Sequence, residues 1–279
     1  MDNNTNVRAL AAYSLGIAFT ELPDREKAFE DLHRLAQDKN INVRALAAYT
    51  LGAAFPGIPE KELAWEDLHR LAGDKNRDVL WGAAYSLGAA FPYITEKEKA
   101  REDLISLAQG GDRDLRVSAN YSLGRASIFK AIHTENEEKF KKELETALFF
   151  FNKSSGEARY FNPALFCSLF YRTFYEITFN KQETETEIQE YLSKAKKSVE
   201  GSESKEKLYL AIEKLASALK EVKIARDKGL AATESALNAH RQYCEEAADL
   251  VRTVRGTARG AAKIFERGLP IICGRFKPY

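Results

Sequence analysis

The amino-acid sequence predicts an all-α protein in which a short α-solenoid of stacked helix pairs precedes a second domain of helical hairpins or a helical bundle. Three observations support this prediction. The first half of the chain repeats itself every 36 residues, apolar residues recur at spacings of three and four, and no strand-like alternation bounded by hairpin turns occurs. We expect the repeats to span residues 1–129 and the second helical domain to span residues 130–279.

The composition is that of an ordinary soluble protein. The 279 residues contain 42 Lys and Arg against 41 Asp and Glu. The sequence contains no run of about 18 apolar residues, which a membrane helix would need, and its N-terminal residues lack a secretory signal. We therefore expect a cytoplasmic protein without membrane contact. Cys167, Cys244 and Cys273 fit neither a disulfide framework nor paired zinc ligands, so we expect reduced thiols.

The repeat is defined by residues that return after every 36 positions. The tyrosines are Tyr13, Tyr49, Tyr85 and Tyr121, and the glycines are Gly16, Gly52, Gly88 and Gly124. Within one unit, the pattern predicts a first helix over residues 60–72, a turn containing Asp, Lys and Asn, and an alanine-rich second helix. N-caps of the second helices are expected at Asn42, Asp78 and Asp114, and prolines end these helices.

The segment from Asn6 to Gly16 resembles the Val-Arg, Ala-Ala and Ala-Leu-Gly pattern of HEAT repeats of the PBS-lyase-like type. It returns at residues 42–52 and more loosely at 78–88 and 114–124, so the resemblance covers residues 6–127. Tyrosine replaces a commonly polar residue, and Leu80 stands where other copies have arginine. The resemblance implies a concave surface lined by the second helices, and a structural ladder between repeats. Its members would be Asn42, Asp78, Asp114, Arg44 and Arg116.

Residues 7–19 correspond to a second helix without a first helix ahead of it in the sequence. One apolar flank of the repeats therefore lacks a neighbour. We expect a homo-oligomer through residues 7–19, or the partner, to cover this flank; a merely exposed end is the alternative.

From Ile128 onward the 36-residue register is lost. Helices are predicted over residues 137–151, 163–179, 183–199, 205–228, 230–255 and 258–267, with a cap at Asn162 and C-cap glycines at Gly201, Gly229 and Gly256. Aromatic residues around the helix that begins at Pro163 predict a buried core helix, with a peptide-binding aromatic groove as the alternative.

The four tyrosines and Trp81 are the candidate partner-binding residues. On a helical wheel Tyr49 lies away from the apolar axis of its helix, so Tyr13, Tyr49, Tyr85, Tyr121 and Trp81 would line the concave surface. Helix packing distances place equivalent residues about 10 Å apart. Tyr and Trp are favoured at binding hot spots. The competing interpretation is that the tyrosines fill the core between repeats.

A basic stripe near the C-terminus is the second candidate surface. Arg252, Arg255, Arg259, Lys263 and Arg267 recur at three or four and would form one positive stripe on a helix. This stripe leaves open a HEAT-like nucleic-acid-acting enzyme or lyase. However, residues 1–127 contain 16 Lys and Arg against 19 Asp and Glu, whereas phosphate binding requires a positive excess. Nucleic acid is therefore the less favoured partner, and a solvated face or an acidic protein explains the stripe.

Signals for catalysis are weak. His33 and His69 share one repeat position, but each precedes Arg and not the Glu of the His-Glu pairs that hold iron in HEAT-like deoxyhypusine hydroxylases. His240 and Cys244 share a helix face, without a visible orienting group. We therefore predict no enzyme, no metal and no cofactor, and a scaffold for a protein or peptide partner.

Overall fold

The computed structural model describes residues 4–159, 163–179, 185–228 and 230–274. All regular secondary structure in these residues is helical, which confirms the predicted all-α class. None of the described helices is both long enough and apolar enough to cross a membrane. The helices are α1 (Thr5–Ala18), α2 (Arg25–Ala36), α3 (Ile41–Ala54), α4 (Lys61–Ala72), α5 (Arg77–Ala90), α6 (Lys97–Ala108), α7 (Arg113–His133), α8 (Glu137–Glu157), α9 (Pro163–Phe179), α10 (Glu185–Val199), α11 (Glu203–Lys228), α12 (Leu230–Arg252) and α13 (Arg259–Cys273).

The chain folds into two compact units. The first contains Met1–Phe129 together with Phe149–Phe161, and the second contains Lys130–Leu148 together with Asn162–Tyr279. The first unit therefore includes the repeated segment and the C-terminal part of α8.

In the first unit, the alanine-rich helices pack on one another in sequence order, α1 on α3 and α3 on α5. We call α1, α3, α5 and α7 the inner helices. The more polar helices follow the same order, α2 on α4 and α4 on α6. Equivalent residues form one core, and its buried members include Phe19, Phe55, Phe91, Leu32, Leu68 and Leu104. Burial of each such side chain contributes about 1.5–3 kcal/mol.

Small residues bring the inner helices into backbone contact. A Cβ atom built on Gly52 would lie 2.6 Å from the Cα atom of Ser86, and one built on Gly88 would lie 2.8 Å from the Cα atom of Ser122. The Ser86 hydroxyl donates a hydrogen bond to the carbonyl of Ala48 at 2.6 Å, and the Gly52 amide donates to the Ser86 oxygen at 3.0 Å. Glycine is therefore required for this close approach.

The helix caps lie two residues before the predicted positions. Asn40 caps α3, because its side chain accepts from the amides of Asn42 and Val43, and Asn76 caps α5 in the same way. Before α7 the Asp112 carboxylate accepts from the amide of Leu115. The predictions of caps at Asn42, Asp78 and Asp114 are therefore wrong. Each helix begins two residues earlier than predicted, so these residues lie inside its first turn.

A series of ion pairs links successive 36-residue repeats, and each pair joins an arginine to a carboxylate 30 residues later. The Arg8 Nε atom lies 2.7 Å from Asp38, and that of Arg44 lies 2.9 Å from Asp74. The third 36-residue repeat has Leu80 and Gly110 at the equivalent positions, so both partners change together. Arg116 instead pairs with Glu157 of α8 at 2.7 Å. The expected ladder thus uses Arg44 and Arg116, but its carboxylates are Asp74, in the turn between α4 and α5, and Glu157 of α8.

We predict that Arg8→Leu lowers the free energy of unfolding at neutral pH by about 1–3 kcal/mol, because the buried Asp38 carboxylate loses its partner. The hydrogen bond from Arg8 holds the pKa of Asp38 below its ordinary value. The stabilisation is therefore present above the pKa of the unfolded carboxyl and is lost as the pH falls through the lowered pKa. Urea unfolding at neutral pH and at about pH 3 measures both effects.

The control is the double variant Arg8→Leu with Asp38→Gly, which installs the residue types of Leu80 and Gly110 in the third repeat. We expect it to be less destabilised than the sum of the single variants, since no carboxylate remains unpaired. Additive effects, or an Arg8→Leu penalty that is unchanged in acid, would contradict the role of this pair.

The second unit contains the aromatic core helix α9. Phe166, Phe170 and Phe174 are buried, and the Phe174 ring lies 5.3 Å from that of Phe265 on α13. This burial confirms the predicted core helix, although Leu165 is exposed and α9 is therefore not buried on every side. Gly201 has a φ of 77° after α10, as a C-cap glycine requires.

Helix ends in the second half differ from the predictions by three or more residues at three places. Helix α8 continues to Glu157, six residues beyond the predicted end, and α12 ends at Arg252, before the predicted residue 255. Helix α13 continues to Cys273, six residues beyond the predicted end, and contains Pro270. The predicted cap Asn162 and the predicted C-cap Gly229 lie outside the described residues.

Candidate functional site

Three aromatic side chains of neighbouring inner helices stack at the surface of the first unit. Between ring centroids, Tyr49 on α3 lies 5.5 Å from Trp81 and 5.1 Å from Tyr85 on α5, and Trp81 lies 6.0 Å from Tyr85. The ring planes are inclined by 14–29°, which is a stacked arrangement. Trp81 is 39% exposed, and both tyrosines are half-buried. We call Tyr49, Trp81 and Tyr85 the aromatic cluster.

The contact between Gly52 and Ser86 explains why the rings are closer than the expected 10 Å. These residues belong to the same two helices as Tyr49 and Tyr85 and hold the backbones together. Trp81 has no equivalent in the other repeats, which have Ala9, Ala45 and Val117 at this position. The indole therefore lies beside the two tyrosines at a position where the other repeats have a small side chain.

The outer members of the tyrosine column have different surroundings. Tyr13 on α1 is 44% exposed, and its charge interaction with Tyr49 contributes to the raised pKa of Tyr49. The Tyr121 ring lies 6.0 Å from that of Phe151, and the Arg125 guanidinium lies 5.8 Å from the Tyr121 centroid. The structure thus brings together three of the five predicted residues, with Tyr13 and Tyr121 in other packing environments.

The hydroxyl of Tyr49 stays protonated at neutral pH. Burial raises the pKa of Tyr49, and the neighbouring hydroxyls of Tyr85 and Tyr13 add to this shift. The group therefore remains able to donate a hydrogen bond to an acceptor on a partner.

Carboxylates lie next to the cluster on the N-terminal side of the inner helices. Asp78 precedes Trp81 by three residues on α5, so both side chains lie on one helix face. Asp78 and Asp114 are exposed, and the Arg77 guanidinium lies 3.9 Å from Asp78, 3.4 Å from Asp112 and 3.5 Å from Asp114. Three carboxylates therefore share Arg77, and Asp78 is an exposed carboxylate on the same helix face as Trp81.

The repeated histidines join α2 to α4 and α4 to α6. The His33 Nδ1 atom lies 2.6 Å from the Asp67 carboxylate, and that of His69 lies 2.6 Å from Asp103. Asp67 is buried and also pairs with Arg70 at 3.0 Å. Among the described residues, no group of three or more His, Cys, Asp and Glu side chains is arranged to hold a metal ion. Sequence reasoning missed these pairs, although the constant aspartates at positions 31, 67 and 103 were a signal for them.

The basic stripe does not form on one helix. Arg252 ends α12, Arg255 lies in the connection, and the remaining three residues lie on α13. Arg252 pairs with Asp249 at 2.7 Å, and Arg259 pairs with Glu266 at 2.8 Å. Arg255 donates hydrogen bonds to the carbonyls of Arg252 and Val254. The Arg267 guanidinium lies 5.3 Å from the centroid of the Phe140 ring. Lys263 is exposed. The break between the helices separates the charges that the sequence pattern placed in one row.

The pair of His240 and Cys244 is not an activated nucleophile. Their Nε2 and Sγ atoms are 4.0 Å apart. A hydrogen bond with Cys273 and burial raise the pKa of the Cys244 thiol, and burial lowers the pKa of His240. Both groups are therefore neutral at pH 7, whereas a nucleophilic cysteine must be a thiolate.

At the surface of the first unit the aromatic cluster presents two phenol rings and one indole ring, with the Asp78 carboxylate one turn away on α5. The groups of the aromatic cluster lie on helices, which hold them in fixed positions. No protein-family model matches this chain, and no curated protein matches it.

Proposed function

We propose that the chain is a non-enzymatic interaction protein, a short α-solenoid of HEAT repeats that binds a protein or peptide partner at the aromatic cluster. The observation that supports this function best is the stack of Tyr49, Trp81 and Tyr85, with its exposed indole and half-buried phenols. Trp and Tyr are enriched among the residues that dominate binding energy at interfaces. The regular order of the inner helices supports the repeat assignment, because stacked hairpins produce an extended surface of this kind.

The surroundings of the cluster favour a partner segment that has a flat apolar or cationic side chain. An aromatic face attracts a Lys or Arg group within about 6 Å of the ring centroid. Asp78 lies one turn away on the same face and would add a carboxylate to that contact. The free thiols of the three cysteines fit the cytoplasmic location that we propose for this complex.

Trp81→Ala is the sharpest test, because it installs the residue found at the equivalent positions 9 and 45. The fold should tolerate it, whereas the binding free energy should weaken by about 2 kcal/mol or more, about 30-fold in affinity. The partner is first obtained by affinity capture from native lysate and mass spectrometry. Its affinity for each variant is then measured by isothermal titration calorimetry.

Tyr93→Ala provides the matched control, since Tyr93 is a similarly exposed aromatic residue outside the cluster. It should leave the affinity unchanged. Equal affinities for wild type and Trp81→Ala would refute the proposed site. Salt-sensitive retention on duplex DNA, lost on replacing Arg252, Arg255 and Arg259 by Ala, would favour the nucleic-acid alternative instead.

A further inference from the structure

Two cysteines of the second unit meet where α13 packs on α12. Cys244 lies within α12, and Cys273 is the last residue of α13. A hydrogen bond joins their side chains. Both are reduced thiols; Cys244 is 6% exposed, and Cys273 is half-buried. We call Cys244 and Cys273 the thiol pair.

The packing of the two helices holds the thiol pair in place. The connection after α12 turns at Gly256, whose φ of 65° lies in the left-handed region that glycine adopts without strain. Ala247, one turn after Cys244, and Ile272, next to Cys273, have no exposed surface. The Gly274 amide donates to the carbonyl of Pro270 at 2.9 Å and closes the last turn of α13. The thiols therefore meet because core residues on both helices position them.

The two thiols differ in their readiness to ionise. The hydrogen bond from Cys244 lowers the pKa of the Cys273 thiol, although burial opposes this shift. The same contact and burial raise the pKa of Cys244. His240, whose Nε2 atom lies 4.0 Å from the Cys244 sulfur, is neutral because burial lowers its pKa, so it provides no cation for a Cys244 thiolate. Cys273 is thus the more acidic and the more exposed thiol, which are the properties of the sulfur that reacts first.

We propose that the thiol pair is a redox modification site at which a hydroperoxide converts Cys244 and Cys273 into a reversible disulfide. The Cys273 thiolate attacks the terminal oxygen of the hydroperoxide, so an S–O bond forms, the O–O bond breaks and the departing alkoxide takes up a proton. The Cys244 sulfur then attacks the Cys273 sulfenic sulfur. The S–O bond breaks, and the hydroxide leaves with the Cys244 proton as water. Two thiols are oxidised to one disulfide while the hydroperoxide is reduced to an alcohol and water.

The disulfide would fix the end of α13 to α12. Helix α13 also contributes Phe265, whose ring lies 5.3 Å from that of Phe174 in the aromatic core of the second unit. A cross-link that holds α13 in place should therefore stabilise this core against unfolding. The modification site is independent of the proposed partner site, because the aromatic cluster lies on α3 and α5.

Treatment of the full chain with a small molar excess of hydrogen peroxide tests the proposal. Of the three thiols, we expect only that of Cys167 to remain titratable in denaturant, and dithiothreitol should restore the other two. Peptide mass mapping should find residue 244 linked to residue 273 within one chain. The melting temperature should rise by about 5–10 °C on oxidation.

Single serine variants assign the two sulfur atoms, and circular dichroism establishes that each variant is folded. Cys167→Ser is the matched control and should lose the same two thiols as the wild type. Cys244→Ser should accumulate a sulfenic acid on Cys273, which dimedone traps, whereas Cys273→Ser should leave Cys244 reduced. Neither of these two variants should show the rise in melting temperature. Three titratable thiols in the peroxide-treated wild type, a disulfide that involves Cys167 or a second chain, or a sulfenic acid that forms on Cys244 in the Cys273→Ser variant would each overturn the proposal.

Discussion

Phe151→Ala should lower the free energy of unfolding by about 3–5 kcal/mol, the range for truncating a buried aromatic side chain. Phe151 is 1% exposed, and its ring lies against Gly124 and 6.0 Å from the ring of Tyr121. Because Gly124 has no side chain, it offers no atoms that could fill the space left by the ring. The loss combines the transfer energy of the ring with the energy of an unfilled cavity on α7.

Phe149→Ala is the control two positions earlier on the same helix. Phe149 is exposed, with the Lys153 ammonium 4.6 Å from its ring centroid, so its truncation should change the free energy of unfolding by less than about 1 kcal/mol. Urea unfolding followed by circular dichroism measures both variants. Similar losses for Phe149→Ala and Phe151→Ala would mean that the packing of α8 on α7 contributes little to stability.

The repeated residues predicted most helices of the first unit, because residues with the same spacing make the same contact between successive helices. Gly52 and Gly88 meet a serine of the next inner helix, and Tyr49 and Tyr85 meet in the aromatic cluster. Cap positions were less predictable, because Asn40 and Asn42 are both good caps two residues apart. Only the hydrogen bonds of Asn40 decide between them.

Interactions outside the 36-residue register could not be predicted from the repeat. Arg116 finds Glu157 at a separation of 41 residues in place of 30, and Ser154 takes the role that Ser86 has between α3 and α5. The stacking of Trp81 was hidden for a related reason. Its position has small residues in the other units, so no periodic signal gives the distance of its ring from Tyr49.

Gly52→Ala should destabilise the protein by about 1–3 kcal/mol through overpacking, although alanine is the better helix former. The added methyl carbon would lie 2.6 Å from the Cα atom of Ser86. Since that atom is backbone, a side-chain rotation cannot relieve the overlap and α3 and α5 must move apart. The hydrogen bond from the Gly52 amide to Ser86 would lengthen at the same time.

Gly156→Ala in α8 separates the steric effect from helix propensity. An added methyl at Gly156 meets no atom within 4 Å, so this variant should gain at most the roughly 0.5–1 kcal/mol that alanine contributes in a helix interior. Both substitutions add one methyl group to a glycine in the last turn of its helix. The difference between their free energies of unfolding, measured in urea, therefore reports the cost of separating α3 from α5. Equal effects would show that these helices tolerate a wider spacing.

The same substitution links packing to the proposed function. Tyr49 and Tyr85 stack because Gly52 lets their helices touch, so the separation of α3 and α5 should open the aromatic cluster without altering any of its residues. We expect Gly52→Ala to weaken partner binding under conditions in which it is still folded. In a Trp65→Phe background, the fluorescence of Trp81 should shift with it, because the indole stacks on Tyr49 across that helix boundary. Wild-type affinity in a folded Gly52→Ala variant would mean that the partner does not require the rings at their present spacing.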